Sequence, residues 1–172
     1  MTPGRKILLV DYNPRWPELF RREADRILAV LETRALRIEH TGSTAVPGLA
    51  AKPIIDITLA VADSADESAY APALEGAGYA LRIREPEWRQ HRMFKGPDTG
   101  VNLHVFSAGC PEIGRILRFR DWLRNHAADR ELYARTKRAL AEREWKSVDE
   151  YARAKTAVIE EILARACDPL YS

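Results

Sequence analysis

The sequence predicts an α+β protein in which a mixed sheet is flanked by helices and followed by a helical C-terminal portion. Three observations predict it. Short β-branched or alternating runs recur up to about residue 110, long stretches with apolar residues at helical spacing fill the rest, and the change between the two patterns falls near Cys110. A chain of 172 residues can bury a full core without a disulfide or metal staple. It is expected to form one unit over 1–172, with a sheet core at 1–110 and appended helices at 111–172.

The elements follow in order. Ile7 to Val10 is an apolar run of strand length that stops at Asp11. Pro17 suits the first turn of a helix, and Leu19, Phe20, Ala24, Ile27, Leu28 and Leu31 continue it to about Leu31. The alternating segment Arg37 to Thr41 reads as a strand broken by Gly42-Ser43. Pro47 and Gly48 limit any helix over Thr44 to Ala50 to a turn or two. Pro53 to Ala62 is apolar and β-branched, as in a buried central strand. Asp66 to Ala77 reads as a helix closed by Gly78. Tyr79 to Ile83, Arg92 to Lys95 and Val101 to Phe106 read as strands, the last two joined by the turn-rich Gly96 to Gly100. Helices are expected over Glu112 to Asn125, Asp129 to Glu142 and Val148 to Ala166.

Composition excludes several classes. Apolar residues at 46% and charged residues at 30% argue against long disorder. A formal charge of +2 is too weak to imply nucleic-acid or membrane-surface binding. Cys110 and Cys167 have no metal-ligand spacing and do not cluster with the histidines. No run reaches the roughly 18–20 apolar residues of a membrane span. The N-terminal stretch lacks the core of a signal peptide, so a cytoplasmic location is expected. The apolar faces from Asp129 onward are expected to pack a helical subdomain, with a homodimer surface as the alternative.

Residues 40–57 carry the most chemistry. A strand that ends at Gly42-Ser43 and turns into a short helix presents free backbone N–H groups, which favour an anion, phosphate above all. Gly42 allows close approach of a ligand, and the hydroxyls of Ser43 and Thr44 add donors. Asp56 lies in an otherwise apolar strand, where a carboxylate is costly without a partner or an open sheet end. Lys52 precedes it by four positions. Together these residues point to a nucleotide or metal–phosphate site. Asp56 as a structural acid paired with Lys52 is the alternative.

The chain resembles the GrpB family, small proteins of the polymerase-beta-type nucleotidyltransferase superfamily. The shared residues are DYNPRWPELF at 11–20, IEHTGSTAVPGLAAKPIIDI at 38–57, HRMFKG at 91–96, NLHVF at 102–106 and LRFRDWLRNH at 117–126, with YARTKRAL at 133–140 and YARAKTAVI at 151–159. In that superfamily a Gly-Ser turn precedes a strand bearing an Asp-x-Asp pair that binds Mg²⁺, and a third acid comes from a later strand. The resemblance implies that fold, with Asp56 as the first acid. Thr58 stands at the second acid's position, and the later strand offers Asn102 and His104 instead. One carboxylate does not clamp two Mg²⁺ ions. Glu39 is a candidate second acid, and Asp56 with His40 and His104 is a candidate set for a single Zn²⁺ or Mn²⁺.

Two functions follow. In the first, a nucleotidyl group moves from a nucleotide to an acceptor. Gly42, Ser43 and Thr44 hold the phosphates and Asp56 holds Mg²⁺, while Lys52, Arg92, Lys95 and Arg120 neutralise charge. His104 completes the metal shell or moves a proton. In the second, the chain binds a nucleotide or phosphorylated small molecule without turnover. Strand alternation puts Arg92 and Phe94 on one face and His91, Met93 and Lys95 on the other, so Arg92 and Lys95 do not share a face without a bulge.

Overall fold

The computed structural model describes residues 6–98 and 100–171. Met1 to Arg5, Thr99 and Ser172 lie outside the described residues, and with them the start of the N-terminal stretch and one position of the Gly96 to Gly100 turn.

Five strands form one mixed sheet: β1 (Arg37–Thr41), β2 (Ile55–Val61), β3 (Ala80–Glu85), β4 (His91–Lys95) and β5 (Val101–Ser107), in the order β1-β2-β5-β4-β3. Only the central pair β2–β5 is parallel. That pairing requires a long crossover, and residues 62–100 supply it. They hold the short helix α2 (Ala71–Gly76) and the β3–β4 hairpin.

The period-2 alternation splits the sheet into two chemically different faces. Ile55, Ile57, Leu59, Val61, Val101, Leu103, Val105 and Phe94 pack against Trp16, Ile27 and Leu31 of α1 (Trp16–Leu31) and against Tyr70 and Leu74. The other face carries Asp56, Thr58, Asn102 and His104, which the register aligns in neighbouring rows. This second face is roofed by α3 (Pro111–Asn125), α4 (Ala127–Ala141) and α6 (Thr156–Ala166). Ile113 and Leu117 pack on Ala60 and Phe106. Leu123, Tyr133, Ala134, Val158 and Ile162 pack on Val46 and Leu49 of the segment after β1. The C-terminal helices therefore bury part of their apolar surface on the sheet half itself.

Most expected elements are present, with three differences. Ile7 to Val10 forms no strand, and Val10 alone bridges Ala51. The helix expected over Asp66 to Ala77 is a 3₁₀ turn at Glu67–Ala69 followed by α2. Pro72 is tolerated only in a first turn, so the helix starts beside it; Gly78, at φ +95°, closes it as expected. The final helix is two: α5 (Val148–Ala154), capped by Ser147 on the Glu150 N–H, and α6, joined at Lys155. The Lys155 N–H bonds Ala152 O, a tightened i→i+3 turn that neither Pro nor Gly marks.

Candidate functional site

Gly42 closes β1 at φ +70°, ψ −174°, a region open almost only to glycine. A Cβ there would stand 2.5 Å from Asp56 Oδ2, so the turn lies directly against the acid. Thr41 and Asp56 are register partners on the cleft face and bring the end of β1 beside the start of β2. A 3₁₀ turn, Ser43–Ala45, follows.

Asp56 and His104 meet across the parallel pair, Nε2 to Oδ1 at 3.3 Å, each about a third exposed. They line a cavity of about 450 Å³ with Gly42, Ser43, Thr58 and Arg120. Its apolar wall includes Trp88, Phe106, Ile116 and Phe119. Trp88 stands edge-on to Phe106, ring centroids 5.7 Å apart. Phe106 is two residues along β5 from His104. Phe106, with Trp88 on it, thus sits farther along β5 from the Gly42 turn than His104 does, while Phe119 packs on Tyr133.

Two lysines reach this site from the helices, Lys137 buried and Lys155 half-buried, and neither is among the sequence-derived site residues. Lys137 of α4 donates to Ser43 Oγ at 2.9 Å and to Ala50 O at 2.5 Å. Lys155 lines the cavity. Each amine lies 4.8 Å from the ring of the tyrosine four positions before it, Tyr133 or Tyr151. The signal was present as YARTK at 133–137 and YARAK at 151–155, since a Tyr-x-x-x-Lys spacing puts both side chains on one helical face. Burial pushes the Lys137 ammonium down to about 7, helped by Lys155, Arg138 and Lys52. Burial and Lys52 bring Lys155 to about 8, against the pull of Asp56. Lys52 itself lies 5.6 Å from the Tyr151 ring.

The remaining sequence-derived residues divide. Arg120 reaches the cavity, where its guanidinium bonds Glu39 at 2.7 Å, Asp121 at 2.8 Å and His40 O at 3.0 Å. Burial pushes the Glu39 carboxyl up, but hydrogen bonds from Arg120 and Arg37 outweigh it and hold it low. Glu39 therefore positions Arg120 and is committed away from a metal. Lys95 faces the same side, one strand beyond, and bonds Asn102 Oδ1 at 2.5 Å.

Three expectations are corrected. His40 alternates onto the face opposite Asp56, where it stacks on Phe20 at 4.8 Å and bonds Thr44 Oγ1 at 3.0 Å; burial drives its pKa down to about 4. It is no ligand for a metal shared with Asp56. Thr44 is buried, and its hydroxyl is taken by His40 and Ile54 O, so it pegs the turn rather than donating to a ligand. Arg92 lies on the core face, bonded to Glu67 at 3.0 Å and Gln90 O at 2.9 Å.

His91 occupies the cleft face in place of Arg92. Its Nε2 lies 3.0 Å from His104 Nδ1, and its Nδ1 lies 2.7 Å from Glu85 Oε2. Burial lowers its pKa and outweighs the hydrogen bond to Glu85. Strand alternation separated His91 from Arg92 without saying which faces the cleft; its contacts were missed because Glu85, on β3, is joined to it only by strand pairing.

Fold and site together define an α+β protein whose sheet face, roofed by helices, presents a Gly-Ser turn, an acid–histidine pair and inward-pointing lysines. The family GrpB protein matches residues 6–165, and the chain belongs to that family. It is 62% identical over 160 residues to UPF0157 protein BH1888 of Halalkalibacterium halodurans, covering 93% of this chain and 82% of the relative. The crystal structure of GrpB from Enterococcus faecalis overlays with a TM-score of 0.79 and 31% identity, covering 94% of this chain and all of that one. The poly(U) polymerase Cid1, bound to MgATP, overlays with a TM-score of 0.48 and 10% identity over 74% of this chain and 45% of its own. No helix of the described residues is long and apolar enough to cross a membrane.

Proposed function

We propose that the cleft binds a nucleotide or a similar phosphorylated small molecule. The observation that carries this reading is that Lys137 bonds Ser43 of the Gly42-Ser43 turn while Lys155 lines the cavity this turn borders. Ammonium groups crowded by other cations, Lys137 by Lys155 and Lys155 by Lys52, gain most from an anion with several charges, and the turn supplies backbone donors for it. The apolar wall with Trp88, Phe106 and Phe119 suits the uncharged remainder of a nucleotide, because pockets for small molecules pair few placed polar groups with a largely apolar lining.

A second reading, transfer of a nucleotidyl group to an acceptor, is favoured by the Asp56–His104 pair beside that turn. The donor set does not fit two Mg²⁺ ions. Thr58, at the second acid's position, shares its hydroxyl with Thr41 at 2.9 Å, and the partner strand contributes His104. One divalent cation fits, with Asp56 as its carboxylate, and would neutralise phosphate charge. In this chain's own residues, the Gly42 turn and the lysines orient the phosphates, and Arg120 adds positive charge at the edge.

A thermal-shift series with nucleoside triphosphates, with and without Mg²⁺, tests the binding reading, because a ligand of the native state raises the melting temperature. Stabilisation by triphosphates that disappears in Lys137→Met is expected. No shift with any triphosphate contradicts it. Turnover, if present, is lost in Asp56→Asn with the fold intact; unchanged turnover in that variant removes Asp56 from the chemistry.

A further inference from the structure

The hydroxyls around the Gly42-Ser43 turn are committed differently. Thr41 and Thr58 share one hydrogen bond at 2.9 Å, and Thr44 is taken by His40 and Ile54 O. Ser43 is half-buried and lines the cavity, with the amine of Lys137 behind it at 2.9 Å from Oγ. Lys137 is 2% exposed and makes no ion pair with a carboxylate among the described residues. A ligand in the cavity therefore meets this amine through Ser43.

The surroundings of Lys137 favour a proton acceptor over a fixed cation. A carbonyl only accepts, so Ala50 O, at 2.5 Å, holds one N–H and orients the amine. In the neutral amine the lone pair is then available to the Ser43 O–H. The Tyr133 ring, 4.8 Å away, favours the charged form. Burial works against it, as do Lys155, Arg138 and Lys52, and they bring Lys137 to about 7. The Tyr133 phenol also hydrogen-bonds Ser43, and burial pushes its pKa well up, so it stays protonated and is no rival base. The nearby carboxylates do not bond Ser43: Glu39 is held by Arg120 and Arg37, and Asp56 lies beside His104. A hydroxyl within hydrogen-bond reach of a base that a third group orients is the arrangement of an activated nucleophile, and Ser–Lys pairs are one form of it.

We propose that Ser43 is the nucleophile of a covalent nucleotidyl-transfer step with Lys137 as its general base, so that the nucleotidyl group passes through Ser43 before it reaches an acceptor. This step deepens the transfer reading of the same cleft and rests on that reading for its donor, a nucleoside triphosphate. Ser43 Oγ forms a bond to the α-phosphorus, and the bond from that phosphorus to the bridging oxygen breaks. The electron pair leaves with the diphosphate, and the hydroxyl proton passes to Lys137 Nζ. Lys155 and Arg120, which line the cavity, offset the charge that gathers on the diphosphate. In the second half an acceptor hydroxyl attacks the same phosphorus and releases its proton to water. The bond to Oγ breaks, and Lys137 returns the proton to Ser43.

The test uses the full chain and two electrophiles, a fluorophosphonate and a nucleoside triphosphate with Mg²⁺, read by intact mass and peptide mapping. The fluorophosphonate needs no nucleotide site: Oγ bonds its phosphorus, and fluoride leaves. One label on Ser43 is expected, at a rate that rises with pH and levels off above about 7. Lys137→Met should slow it at least about 100-fold. Lys137→Arg should do the same, because it keeps the charge and cannot give up a proton. The pH profile of the unsubstituted chain keeps a reading available if either variant fails to fold. Inorganic triphosphate should protect Ser43, and the nucleoside triphosphate should leave one nucleoside monophosphate on it, absent in Ser43→Ala. A label elsewhere, a flat pH profile or a rate indifferent to both Lys137 substitutions overturns the nucleophile. So does a chain that triphosphate protects but that gains no nucleotidyl group. Reactive Ser43 without protection by inorganic triphosphate overturns the phosphate reading instead.

Discussion

Gly42 is the residue on which the site turns, because its missing side chain lets Asp56 stand against the turn. The backbone there costs a non-glycine residue on the order of 1–3 kcal/mol, and the added Cβ meets Asp56 Oδ2 at 2.5 Å. Gly42→Ala is therefore expected to lower the urea midpoint and to weaken triphosphate binding. Combining it with Asp56→Gly should recover part of the stability and none of the binding. Equal midpoints for Gly42→Ala and the unsubstituted protein contradict the close approach. Lys137 and Lys155, lowered to about 7 and about 8, give the cleft a pH dependence. An anion raises both values by favouring the charged forms, so binding near pH 8 takes up protons and affinity falls as pH rises from 7 to 9. Calorimetry in two buffers of different ionisation enthalpy reads that uptake; a proton balance of zero contradicts it.

At the scale of elements, β1 and the turn after it are held by His40, whose ring reaches Phe20 of α1 and the Thr44 hydroxyl. Its pKa is about 4 in the folded chain against an ordinary 6.5. The unfolded chain therefore binds more protons across that window, and stability falls as pH drops from 6.5 towards 4. In His40→Gln, urea midpoints over that range should depend less steeply on pH; an unchanged slope contradicts the assignment. Element by element, the sequence was most legible where local rules decide. Pro17 and Gly78 marked helix ends, and alternation assigned the faces of β4. It was least legible where tertiary pairing decides. Thr44 looked like a phosphate donor because a hydroxyl beside Gly-Ser carries no mark of the buried histidine that takes it. Arg92 looked free because its partners, Glu67 and Gln90, lie outside its own strand. The break at Lys155 has no Pro or Gly to announce it.

Over the whole molecule, the sheet supplies the turn and the acid–histidine pair, and the C-terminal helices supply Lys137 and Lys155. Those helices also cover Ala60 and Phe106 on the cleft face and Val46 and Leu49 beside the turn. Cutting the chain after residue 110 should therefore expose apolar surface, and the fragment 1–110 is expected to aggregate or melt without a cooperative transition. A soluble, cooperatively folding fragment would show that the helices are a separable attachment. The sequence pointed to the Gly42-Ser43 turn and Asp56 as the first half of the candidate site, and the fold brings them together. The second half lay in two Tyr-Ala-Arg-x-Lys runs whose meaning depends on how the helices fold back, which no local pattern states.

The most direct measurement of the central claim, a polyphosphate cleft closed by cations from those helices, is a calorimetric titration of inorganic triphosphate at pH 7. It is made on the unsubstituted chain and on Lys137→Met and Lys155→Met. One-to-one binding, weakened at least about tenfold by each substitution, is the expected result; heats that are absent, or indifferent to both lysines, would contradict the account.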